Sequence, residues 1–121
     1  MKVTGDETHN DEAKFTHTVK GDYTLTINGN LTIKCDGDIS IKAGKGFKNE
    51  AGMAFSNKAG TDLKNEAGTG LTNKAGTELK NDAGTNLTNQ AAITMTNKAS
   101  ASQTVDGGGM LTVKGGLVKI N

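Results

Sequence analysis

The chain has 121 residues and a mass of 12.5 kDa, which is one domain's worth of sequence at most. With 33% hydrophobic and 3% aromatic residues, no Trp, no Pro and a mean hydropathy of −0.50, a conventional core in one chain is excluded. Its 14 basic residues, all Lys, face 13 acids for a net charge of +1, which excludes a self-repelling disordered chain and a nucleic-acid or anionic-membrane surface.

Residues 1–18 read as a lead-in or linker. They carry both histidines, His9 and His17, which are eight residues apart. That spacing makes them candidate metal ligands: stacked inward in three copies, they could ring a metal or an anion. The plainer expectation is a loose segment with both imidazoles solvated or hydrogen-bonded, and no metal.

Residues 19–114 form an unbroken eight-residue repeat. It opens as VKGDYTLT, INGNLTIK and CDGDISIK, and continues as AGKGFKNE, AGMAFSNK, AGTDLKNE and their kin. On a helix an apolar residue every four positions drifts around the axis, and Gly, Thr and Asn disfavour helix. On strands an even repeat keeps odd residues on one face. Of 48 odd positions 30 are apolar, against 3 of 48 even ones, and that split decides for β. The odd face is therefore the expected interior. Its core residues are Val19 and Ile27 at octad position 1, and Leu31, Ile39, Phe47, Phe55, Leu63, Leu71, Leu79, Leu87, Met95 and Leu111 at position 5. Position 7 is apolar at Leu25, Ile33 and Ile41, Asn from 49 to 97, and Val at 105 and 113. Gly at position 2 or 3 is expected to supply the bend between strands.

On the even face, position 8 reads Lys42, Glu50, Lys58, Glu66, Lys74, Asp82, so stacked octads are expected to pair Lys with acid and to fix register. One octad cannot enclose a core. Either three octads per turn close a monomeric solenoid, or three chains wind about one axis as a rod of roughly 60 Å. Small, sparse inward residues and the lack of a cap favour three chains. The expected fold is all-β: an intertwined triple-stranded parallel β-helix, an octad-repeat β-solenoid prism built by a homotrimer. In residues 115–121 the in/out rule breaks, since Val118 and Ile120 fall on even positions, and this marks an end.

The leading octads follow a V/I-x-G-x5 pattern, with Cys35 in place of Val or Ile. That pattern resembles the central spikes of contractile phage tails and, more closely, the C-terminal region of VgrG, the spike protein of type VI secretion systems. The opening GDETHNDEAKFTHTVKGD and the ending LTVKGGLVKIN also resemble that family. The resemblance implies a homotrimeric needle that pierces a target outer membrane mechanically and carries effectors. It implies a PAAR-type tip protein or effector docked on Leu117, Val118, Lys119, Ile120 and Asn121. It also implies a cytoplasmic location before firing and delivery into the target cell afterwards. The larger N-terminal domains of VgrG are not in this sequence, so the chain reads as a fragment.

No Ser/His/Asp, Cys/His or paired-acid arrangement stands out, so no enzyme and no cofactor are expected. Gly44-Lys45-Gly46 and Gly107-Gly108-Gly109 precede no helical pattern, which speaks against a phosphate loop. CDGDIS lacks calcium-loop spacing. Cys35 excludes an internal disulfide and reads as a small apolar residue; no stretch suits a signal peptide or a membrane span. Two other functions fit the repeat. One is a trimeric adhesin-like stalk. The other is a monomeric β-solenoid with a binding surface such as one for ice, using Thr61, Thr69, Thr77 and Thr85 at position 3, although that array has the inward parity.

Overall fold

The computed structural model describes residues 1–121, in two units, Met1–Lys58 and Ala59–Asn121. In the first unit the backbone bends at 12–13, 20–21, 28–29, 36–37, 44–45 and 52–53. In the second it bends at 60–61, 68–69, 76–77, 84–85, 92–93, 100–101 and 116–117, with a closed turn at 108–109. Each of these pairs is positions 2 and 3 of the octad frame, so the sequence repeat is also a conformational repeat.

Glycine geometry does not cause these bends. No residue but Gly108 has positive φ, and Glu12–Ala13, Ala92–Ile93 and Ser100–Ala101 bend without glycine. The corner at Gly108 is the exception. Gly108 at φ 61° occupies the first central position of a turn in which Met110 N donates to Gly107 O at 3.1 Å. The Asp106 carboxylate accepts from Gly108 N at 2.8 Å and braces it. A Cβ on Gly107 would lie 2.4 Å from Met110 O, so this position excludes any side chain.

The expected fold class is not what the structure holds. There is no helix and no strand, and therefore no triple-stranded β-helix or sheet. A strand is defined by its ladder, and the Met110–Gly107 bond is the one backbone–backbone hydrogen bond present. Alternation of apolar and polar side chains does not supply a partner for each N–H and C=O. The monomeric solenoid fares no better. Three octads per turn would stack residues 24 apart, and within either unit no residues twelve or more apart come together.

The chain exposes 13945 Å². A folded monomer of this mass would expose roughly 6,200 Å². Accordingly no residue of the single chain is buried, and the expected core residues find no interior within it. Their environments are nonetheless uniform: from Tyr23 to Leu87 every position-5 side chain is 58–62% exposed, while Val19 and Ile27 at position 1 are at 42%. Position 3 departs from the expected odd face. Met53 and Ile93 are 101% and 96% exposed, because the bend swings the corner residue out of the alternation.

Candidate functional site

Three groups of side chains are organised by the repeat. The first is a run of rings near the start. His9 lies edge-to-face with Phe15 at 5.4 Å between centroids, Phe15 with His17 at 6.3 Å, and His17 with Tyr23 at 5.5 Å. The arrangement follows from the frame. Phe15 and His17 are positions 5 and 7 of one octad, two apart on one face, and each bend brings a position-7 ring to the next position-5 ring. His9 Nε2 meets Asp11 Oδ2 at 3.2 Å. His17, Val19 and Tyr23 line an open cleft of about 300 Å³. The two histidines are thus linked through Phe15 rather than to each other, and no three His, Cys, Asp or Glu side chains converge as metal ligands would.

The second group is a row of ion pairs. Lys48 Nζ binds Glu50 at 3.1 Å, Lys64 binds Glu66 at 2.9 Å and Lys80 binds Asp82 at 3.3 Å. Sequence reasoning paired these acids with lysines of neighbouring octads; the structure pairs positions 6 and 8 of the same octad. Two residues apart on an extended backbone is within a lysine's reach, and the next octad is not. All three pairs are largely exposed, so each contributes little in water. Sequence reading found the alternation at position 8 and at position 6 but not the pairing between the two. K-x-[E/D] octads at 43, 59 and 75 alternate with Ser56-x-Lys58, Thr72-x-Lys74 and Thr88-x-Gln90, and the same-octad pair is visible once positions 6 and 8 are read together.

The third group is the end of the chain. A bend at 116–117 puts Leu117 on a corner, where it is 87% exposed, with Ile120 at 91% and Val118 at 49%. Lys119 and Asn121 are exposed beside them. Cys35 is exposed too, and its thiol points to Asp38 O at 3.5 Å. Nothing in these groups forms a catalytic constellation; what they present is apolar and ring surface at regular intervals.

No curated protein and no solved structure matches the chain. Residues 16–35, which span the octads VKGDYTLT and INGNLTIK with three residues before them and one after, match the family model of the Gp5 C-terminal repeat, in three copies. Over that stretch the chain is similar to a phage-tail-spike family, and the likeness supports a spike-like structural role.

Proposed function

We propose that the chain is part of the non-catalytic shaft of a membrane-piercing spike in a contractile injection machine of the VgrG kind, working as three associated copies. The observation that carries this reading is the exposed apolar column. Side chains at position 5 repeat the same partial exposure octad after octad from Tyr23 to Leu87, and one chain offers nothing to cover them. The Gp5 repeat match adds the spike-like role. The glycines at position 2, from Gly44 to Gly84, add a third support. In the single chain they have ordinary φ and open space around them, so a close approach by another copy accounts for them where the chain itself does not.

In this reading Leu117, Val118, Lys119, Ile120 and Asn121 receive a PAAR-type tip protein or an effector. The spike waits in the cytoplasm and crosses the target outer membrane by force. A surface-binding monomer is less well supported, since the octads do not close on themselves. The test is the native mass by light scattering, repeated in SDS without boiling. A particle near three times 12.5 kDa that survives cold SDS is expected; a 12.5 kDa particle overturns the proposal.

A further inference from the structure

We infer that residues 9–23 are a self-recognition segment that sets the register in which copies of this chain come together. The inference rests on the assembly proposed above and goes beyond it. Residues 59–90 cannot set register. Residues 59–74 and 75–90 differ only at Asp62/Glu78, Glu66/Asp82, Gly70/Asn86 and Lys74/Gln90. A slip of eight residues exchanges acid for lysine at position 8, which charge opposes. Between 59–74 and 75–90 a slip of sixteen residues restores the apolar, Asn and ion-pair columns and the position-2 Gly. Register must therefore come from a part of the chain that does not repeat.

Residues 9–23 keep the octad frame but carry a set of rings that no later octad carries, and theirs are the rings already in contact with one another. His9, Phe15, His17 and Tyr23 stand in one edge-to-face series, with Asp11 on the His9 ring. Elsewhere the rings, Phe47 and Phe55, make no such contact. Side chains fixed before association lose less freedom on docking, so this segment is the cheapest place for copies to meet. The open cleft between His17, Val19 and Tyr23 has an apolar wall and ring edges at its rim. Its occupant is the same segment of a second copy, because the surface the chain leaves exposed is about twice that of a folded chain of its mass and only further copies repeat its spacing.

The test is refolding from denaturant, following assembly and dissociation rates separately, with native ion mobility on the product. Phe15→Ser with Tyr23→Ser is expected to slow assembly at least tenfold, leave dissociation within about threefold, and yield several shapes at one mass as slipped copies accumulate. Phe47→Ser with Phe55→Ser is expected to do the reverse, speeding dissociation while assembly and the single shape persist. Should the first variant fail to assemble, Phe15→Leu is expected to assemble a few-fold slower at unchanged dissociation, and His17→Phe to match the native rate. Equal effects of the two double variants, or one shape for both, overturn the inference. A native chain that never leaves the 12.5 kDa state overturns the assembly proposal instead.

Discussion

Residues 19–41 and residues 43–98 keep the same eight-residue frame and use its seventh position in opposite ways. In the first stretch position 7 is Leu25, Ile33 and Ile41, following a lead of rings at His9 and His17; in the second it is Asn at every octad. The first stretch has the larger apolar side chains at position 1, Val19 and Ile27, where the second has Ala. The second alone carries the Lys–acid pairs. The early octads thus hold more surface per octad that gains from being covered, and the later ones hold side chains that must find hydrogen-bond partners if covered. A uniform rod would need neither distinction. In the proposed assembly the difference divides the labour: adhesion and register at one end, regular spacing along the middle.

The largest expected effect tests that division directly. Ile33→Asn with Ile41→Asn extends the Asn column into the apolar stretch. If copies cover these side chains, the change costs about 2–3 kcal/mol for each side chain in every copy and lowers the thermal midpoint of the particle steeply. The opposite exchange, Asn73→Ile, is expected to raise the midpoint, since an amide that needed partners is replaced by surface that does not. Midpoints that move the same way for both would erase the distinction.

A glycine change sharpens it next. Gly68 has room for a Cβ in the single chain. Gly68→Val is expected to destabilise the particle by about 1–3 kcal/mol, by overpacking against a neighbouring copy. An unchanged midpoint would place the corners in solvent. Gly108→Ala is smaller and strictly local. At φ 61° it strains the turn by about 1–2 kcal/mol, and the effect should be visible as lost protection of the Met110 amide in hydrogen exchange.

The frame, its length and its corners were legible in the sequence because they are set by spacing, and spacing survives into the conformation. The ladder was not. VKGDYTLT alternates as a strand does, but alternation describes which way side chains point and not what the backbone bonds to. Position 3 was misjudged for a related reason. Met53 and Ile93 counted as interior by parity, and parity holds only along straight backbone, not through a bend. At the candidate site, the eight-residue spacing of His9 and His17 pointed to joint action. It concealed Phe15, which lies between them in both sequence and space.

The smallest expected effect bears on the ion pairs, and it separates charge from shape. Glu66→Lys removes the 2.9 Å bond to Lys64 and puts lysine at position 8 of octad 59, so that Lys58, the new side chain and Lys74 follow one another. In a lone chain the loss is slight, because both partners are exposed and solvated. In an assembly that stacks successive octads, like charges would meet, and a loss of about 0.5 kcal/mol per copy is expected at low ionic strength. Half-molar salt should abolish most of it, since the Debye length then falls below the spacing of neighbouring octads' charged groups. Glu66→Gln keeps the size and drops only the charge, so it should show about half the loss and the same salt response. A loss that salt leaves untouched would assign these residues a packing role. The alternation of K-x-[E/D] with [S/T]-x-[K/Q] octads would then reflect fit along the rod rather than charge between copies.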